Sequence, residues 1–279
     1  MSVTRAQIRS WVGSMLGEVL TLTATSNGTS TSLIDSLNLV REDGYLEGRQ
    51  LIVVSASASG NVGLVRRVSA NSKSARSITI DPALASATAT GDVVELWFRR
   101  DQGPTIQEVH DAIARNVDAV AGSVLVPKLV PSTGVFDRTT PILPEVGATW
   151  QFFSGVDWED PNGIWHPIPP ADIRLAPSGN EPYVDVEIRN RSRNLMDGMN
   201  YRVRGYATHE RPDNDADVIT VDSEWLTHQV AAQILLSSSN RMSDQQSAER
   251  KAQYFQTLAD ARRPKPGIRP RGMLLKLYQ

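Results

Sequence analysis

The spacing of apolar residues changes period several times along the chain, and each change predicts a new element. Ile8, Trp11, Val12, Met15 and Leu16 recur at i, i+3, i+4, i+7 and i+8, the spacing of one helix face, so residues 4–18 read as a helix. Thr4 and Gln7 stand at capping-box spacing, where a hydroxyl and a side-chain amide satisfy free N–H groups. From residue 19 to 99 short β-branched runs (LTLTATS, TSLID, RQLIVVSAS, GLVRRVSA, SITID, DVVELWF) alternate with Gly, Asn, Ser and Asp. That pattern predicts an all-β module of about six strands, with turns at Asn27-Gly28, Asp43-Gly44, Ser59–Gly63 and Gly91-Asp92. The helical period returns over 105–121 with Ile106, Val109, Ile113, Val117 and Val120, behind a second capping pair, Thr105 and Glu108. Gly122 can end that helix.

Residues 123–221 read as β again, with strands around 148–153, 164–168, 183–190, 200–207 and 217–221. Ten prolines between residues 127 and 182 argue against helix and predict long ordered loops. Residues 222–263 read as a helical hairpin. Asp222 or Ser223 caps its first helix, whose buried face is Leu226, Val230, Ala231, Ile234 and Leu235. After a break at Ser237–Arg241, Ser243 and Gln246 cap the second, with Ala248, Ala252, Phe255, Leu258 and Ala259 on one side. Pro264 stops it. The fold class is therefore α+β. A helical unit is built from residues 1–18, 104–122 and 222–263. Two β-barrel or sandwich modules, 19–103 and 123–221, are spliced into it, and an extended arm, 264–279, follows.

From Arg262 the chain reads RRPKPGIRPRGMLLKLYQ. It holds six basic residues (Arg262, Arg263, Lys265, Arg269, Arg271, Lys276) and no acidic one. Three prolines and two glycines forbid a continuous helix over its first part. It then ends on Met273, Leu274, Leu275, Leu277 and Tyr278, an apolar cluster that water penalises. An arm that docks into another subunit or protein accounts for both features, and its prolines lower the entropy lost on docking. A frayed end and non-specific DNA contact are the alternatives. The net charge of −2 leaves −8 for residues 1–261 once the six arm cations are removed. A mildly acidic body with a basic arm favours an acidic partner surface where the arm lands.

Candidate chemistry is thin. The chain has no cysteine, which removes thiol catalysis and cysteine metal sites and fits a reducing compartment of synthesis. Asp213, Asp215, Asp217 and Glu224 have the spacing of a calcium loop, but Val218 stands where the loop needs glycine. A solvated acidic loop leading to a helix N-terminus is the preferred reading. Asp157, Glu159, Asp160 and His166 could be drawn as a hydrolase pair but have no companion motif. The four histidines, 110, 166, 209 and 228, share no ligand spacing. Trp150, Phe152, Phe153, Trp158 and Trp165 could form a carbohydrate platform; the preferred reading is core and edge of the second β domain. No run approaches the length of a membrane span, and no secretory signal is expected at MSVTRAQIRSWV. No cofactor and no metal are expected.

Residues 24–97 carry a specific resemblance. A Gly-Thr-x-Thr-x-Leu-x-Asp start (Gly28 to Asp35) is followed by Tyr45, Gly48 and the strand Leu51–Val54. Then come Gly-x-x-Arg-x-Val (Gly63 to Val68), Ile78–Ala83 and Gly-Asp-x-x-Glu-Leu (Gly91 to Leu96). This resembles a β module that recurs in structural proteins of tailed bacteriophages. The remainder is similar in layout to head-to-tail adaptor (connector, neck) proteins: a helix like TIQEVHDAIARNVDAV before a β domain, an Asp-rich stretch before a helical hairpin, and a C-terminal arm. The resemblance implies a homo-oligomeric ring, usually of twelve, at the virion neck, beneath the portal protein and above a tail terminator, stopper or other tail protein. DNA would pass through its lumen. The chain would be made in the host cytoplasm and act without catalysis.

On that reading the portal-binding residues are Arg262, Arg263, Lys265, Arg269, Arg271, Leu274, Leu275, Lys276, Leu277 and Tyr278. Leu226, Val230, Ile234, Tyr254 and Phe255 would line the subunit interface. Another virion component (tail terminator, tail tube, collar or baseplate) and a carbohydrate-binding decoration protein are the alternatives.

Overall fold

The helix expected at the start of the chain is present as α1 (Arg5–Leu16), and its capping box forms: Gln7 N donates to Thr4 Oγ1, and Thr4 N donates to Gln7 Oε1 at 2.9 Å. Gly17, at φ 87°, closes it in the left-handed conformation that glycine adopts without strain. Its inward face differs from the expected stripe. Ile8, Arg9, Val12, Gly13 and Leu16 are buried, whereas Trp11 is 41% exposed. The reason lies at Gly13, where a Cβ would stand 2.6 Å from Val19 and 3.1 Å from Trp97. The helix settles on Trp97 at its smallest residue, and that rotation turns Trp11 outward. The computed structural model describes residues 3–17, 19–99, 102–121, 126–130, 142–146, 150–177, 184–188, 200–242, 244–264 and 273–274.

The first β region has seven strands: β2 (Leu20–Thr23), β3 (Ser26–Thr29), β4 (Ser32–Ile34), β5 (Arg49–Ser55), β6 (Val65–Ser72), β7 (Ser77–Asp81) and β8 (Val93–Arg99). They form one antiparallel sheet in the order β2-β8-β5-β6-β7-β4-β3, and no barrel is closed. Asn27-Gly28, expected as a turn, lies inside β3 instead. A Cβ on Gly28 would meet Ser32 O at 2.4 Å and Thr88 Oγ1 at 2.5 Å, so that glycine serves a close backbone approach. Leu22, Leu33, Leu51, Val53, Val68, Ile78, Ile80, Val94 and Leu96 lie in one core cluster at 0–1% exposure. Each such side chain contributes about 1.5–3 kcal/mol by leaving water.

The other helices are α2 (Ile106–Ala121), α3 (Ser223–Ser238) and α4 (Gln245–Arg262). The Thr105/Glu108 box at α2 forms in both directions. Asp222 caps α3 through Trp225 N at 2.7 Å. At α4 the cap is Asp244, through Ser247 N, and not the expected Ser243/Gln246 pair; Ser243 itself lies outside the described residues. Helix α3 packs against α1 and α4 and is buried around most of its circumference, at Trp225, Leu226, Thr227, Val230, Ala231, Ala232, Ile234, Leu235 and Ser238. A helix apolar on nearly all sides belongs inside a fold.

The chain forms two compact units. One comprises Met1–Ala119 and Arg211–Pro264; the other comprises Val120–Glu210 and Lys265–Gln279. The first β region and the helices thus share a unit. Strand β1 (Val3–Thr4) pairs with β16 (Val218–Ile219), which draws the last strand expected in the second β domain into the first unit. Asp118 and Arg211 meet in an ion pair of 3.1 Å.

The second unit holds β9 (Val126–Val130), β10 (Ile142–Val146), β11 (Trp150–Glu159), β12 (Trp165–Pro167), β13 (Ile173–Pro177), β14 (Val184–Ile188), β15 (Tyr201–Ala207) and β17 (Met273–Leu274). One antiparallel sheet runs β12-β11-β15-β9, with β17 also on β11; the other runs β10-β14-β13. Strands β9, β10 and β13 were not expected, because each contains a proline. All three are edge strands, the position where a missing N–H costs no ladder bond.

Candidate functional site

The acidic stretch Asp213–Asp217 is the first place where expectation and structure part. Asp213, Asn214 and Ala216 are exposed, but Asp215 is drawn into ion pairs. Asp215 pairs closely with Arg9 Nη1 and, at 3.0 Å, with Arg5 Nη2. Asp217 closes the loop, accepting from Asp213 N and Asn214 N, both at 2.7 Å. Arg9 is fully buried, and its Nε donates to Glu95 Oε2 at 3.1 Å. The same oxygen accepts from Trp97 Nε1 at 3.1 Å. His110 completes the cluster, with Nε2 3.2 Å from Arg9 Nη1 and 3.5 Å from Asp215 Oδ1. Arg9 has only protons to offer, so His110 Nε2 must be the acceptor and the ring is neutral. Burial, and then the charge of Arg5, push the His110 pKa down to about 4 despite Asp215. Burial alone would raise Asp215, but the charge and hydrogen bond of Arg9 and the charge of Arg5 hold it below the usual range. Every carboxylate here is engaged by an arginine, a ring or a backbone N–H, which leaves no calcium ligand set. Among the described residues no group of three or more His, Asp and Glu could hold a metal.

Nothing in the sequence analysis brings Arg9 together with Glu95, the glutamate of the Gly91–Leu96 motif, or with His110, one of four histidines without ligand spacing. A signal was present: Arg9 interrupts an apolar helix face, and Glu95 sits in the apolar run Val93–Phe98. A charge inside such a run needs a partner.

The motif residues of the first β region also work inside the fold. Asp35, fully buried, accepts from the backbone N–H groups of Thr23, Leu37 and Asn38 and from Asn38 Nδ2. Asp92 accepts from Ser57 and from Ala89 N. Gly63 and Gly91 stand at φ 80° and 92°. Beside this sheet lies an open groove of about 960 Å³, lined by Glu47, Gln50, Arg66, Arg67, Asp81 and Thr105 among others. Its two cations and two anions cancel, so it favours no charged ligand.

In the second unit Asp157, Glu159, Asp160 and His166 come close together without forming a hydrolytic pair. Strand alternation sends Asp157 to one face, where Arg202 and Arg204 both reach it at 2.8 Å. Asp160 closes the β11–β12 turn through Asn162 N and Ile164 N, and its other oxygen meets His166 Nε2 at 3.1 Å. Those amides and His166 lower its pKa. Glu159 accepts from Asn200. The aromatic faces are also occupied: Trp158 lies against His166 at 4.8 Å between centroids, and the Arg202 guanidinium covers Trp165 at 4.5 Å. Phe153 is core.

Of the expected subunit-interface residues, Leu226, Val230 and Ile234 are 0–1% exposed. They are spent on the core of their own unit, because the face of α3 that carries them is covered by its neighbours. Tyr254, at 62% exposure, and the half-buried Phe255 retain surface; Phe255 also packs against His228. Of the expected arm residues, Arg262 ends α4 and pairs with Glu224, and Arg263 is the helix C-cap. Met273–Leu274 is the short strand β17, antiparallel to β11 with Leu274 opposite Phe152 and Met273 opposite Phe153. Lys265, Arg269, Arg271, Leu275, Lys276, Leu277 and Tyr278 lie outside the described residues. No helix among the described residues is long and apolar enough to cross a membrane.

No family model matches the chain, and no curated protein matches it. Among solved structures it has a likeness to a regulatory subunit of a cAMP-independent protein kinase A from Trypanosoma cruzi bound to guanosine. That likeness has 10% identity and a TM-score of 0.17 over 95% of this chain and 93% of the other, too low to carry an argument about fold or function.

Proposed function

We propose that the chain is a structural protein of a tailed-phage virion: a head-to-tail adaptor that forms a homo-oligomeric ring, of twelve by analogy, joins portal to tail and extends the DNA channel. It works by assembly and not by catalysis. One observation carries the reading. The residues through which 24–97 resembles the phage β module have backbone roles in this sheet: Gly28 at a close approach, Asp35 and Asp92 as loop anchors, Gly63 and Gly91 in the left-handed region. The carboxylates that could be drawn as a catalytic pair are held by arginines and turn amides, which favours a structural role for them. In this reading the basic, leucine-ended arm grips the portal, and Tyr254 with Phe255 contributes to the contact between subunits.

The test is removal of residues 264–279. The shortened chain is expected to keep its thermal unfolding midpoint and lose binding to the purified portal ring of the same virion, seen by co-sedimentation and by class averages of the complex. Unchanged affinity would falsify the adaptor reading. A tail-tube protein would instead polymerise into long tubes. A decoration protein would bind glycans and lose that binding on Trp158→Ala, a reading the occupied faces of Trp158 and Trp165 make less favourable.

A further inference from the structure

We infer that strand β17 is a plug in the free subunit: it holds the arm on the subunit's own β11 edge, and the arm must leave that edge before it can enter a partner. The inference rests on the adaptor reading above. Strand β11 has two edges. One is paired along its length with β15. The other is shared by two short strands, β12 at Asp157–Glu159 and β17 at Phe152–Phe153. Without β17, the first half of that edge would present unpaired N–H and C=O groups, an invitation to pairing with other chains. The arm covers it.

A backbone segment can complete one ladder at a time. If Leu274 and its neighbours dock into a portal, the pairs Phe152↔Leu274 and Met273↔Phe153 are lost; if those pairs persist, the segment is withheld. The cis contact and the partner contact are therefore alternatives. The plug is also shallow. Two residues of ladder add only a few net hydrogen bonds, enough to reduce the fraction of subunits with a free arm by roughly tenfold and not enough to trap it. Such a balance keeps free subunits from pairing through their edges and still allows a portal to draw the arm out. It also ties release to exposure: the β11 edge stays open once the arm has found its partner. That edge then becomes available to the next component of the assembly.

The chain has no cysteine, so a lock can be built cleanly. In the full chain, Phe152→Cys with Leu274→Cys places a thiol at each of two directly opposed positions. Dilute oxidation should give an internal disulfide, visible as a monomer with a loss of about two mass units, the two thiol hydrogens. Only intermolecular bonds, or none, would overturn the cis contact. The oxidised chain should bind the portal ring at least tenfold more weakly than the reduced chain, which should match the parent. Equal binding by the two forms would overturn the plug while leaving the adaptor reading standing. Failure of the parent itself to bind the ring would defeat the adaptor reading and this inference with it. Hydrogen exchange on the unmodified chain checks the same point without substitutions. Adjacent amides of a strand point to opposite edges, so whichever of the Phe152 and Phe153 amides faces β17 should exchange faster when the portal is bound, and slower or unchanged exchange of both contradicts the plug.

Discussion

Replacing His110 by glutamine isolates the electrostatics of the buried cluster. In the folded chain His110 Nε2 accepts from Arg9 Nη1, and Arg5, Arg9, Glu95, Asp111 and Asp215 are the charges around it. Protonation would turn that acceptor into a donor facing a guanidinium. The folded pKa is accordingly near 4, against an ordinary 6.5. Between those values the unfolded chain binds a proton that the folded chain refuses, so stability falls as pH drops from about 6.5 to about 4 and then levels off. The gap corresponds to roughly 3 kcal/mol. Glutamine can still accept from Arg9 but does not titrate. His110→Gln should therefore cost little at pH 7, about 1 kcal/mol or less, and should remove most of that acid slope.

Because the chain has two units, bulk unfolding need not be two-state. Native-state hydrogen exchange of peptides covering Arg5–Leu16 and Val93–Arg99, run from pH 7 to pH 4.5 with intrinsic rates corrected, reads the relevant unit alone. An identical acid slope in parent and variant would show that His110 is not the group refusing the proton.

Other substitutions test neighbouring contacts. Asp35→Ala leaves the N–H groups of Thr23, Leu37 and Asn38 without their acceptor and should cost about 2–4 kcal/mol in urea unfolding; a loss below ~0.5 kcal/mol would mean that water replaces the carboxylate freely. Arg241 grips both oxygens of Glu108 at 2.9 and 2.8 Å, but the pair is partly solvated, so Arg241→Ala should lower stability by only about 1 kcal/mol. Its signature should be faster exchange confined to the turn at Ser239–Arg241 and the start of α2. Tyr254→Ala should leave unfolding within about 0.5 kcal/mol of the parent while weakening self-association by roughly tenfold or more in sedimentation velocity. Unaltered association would remove Tyr254 from the subunit contact.

Local signals were read well where they involve neighbours in sequence. The Thr4/Gln7 and Thr105/Glu108 boxes and the Asp222 cap depend on residues three apart and form as the spacing indicates, whereas at α4 Asp244 takes the place of the expected Ser243/Gln246 pair. The strands of the first β region were legible for the same reason. What the sequence concealed depends on contacts far apart along the chain. Arg9 lies 86 positions from Glu95 and 206 from Asp215, so nothing local announced that these three charges would meet. The rotation of α1, which exposes Trp11, follows from Gly13 meeting Trp97. Prolines hid β9, β10 and β13, because whether a strand lies at an edge is a property of the sheet and not of the segment. The burial of Leu226, Val230 and Ile234 within their own unit was not legible, because an amphipathic spacing does not say how many neighbours will cover a helix.

The ion pair between Asp118 and Arg211 marks where the chain departs from its first unit and comes back. Departure and return sit side by side, so the intervening stretch is, for that unit, one long closed excursion. The entropy of closing such an excursion grows only with the logarithm of its length; doubling it costs about 0.6 kcal/mol. Evolution can therefore lengthen, trim or exchange the excursion while the body that carries it keeps its stability, and one body can be fitted with different heads.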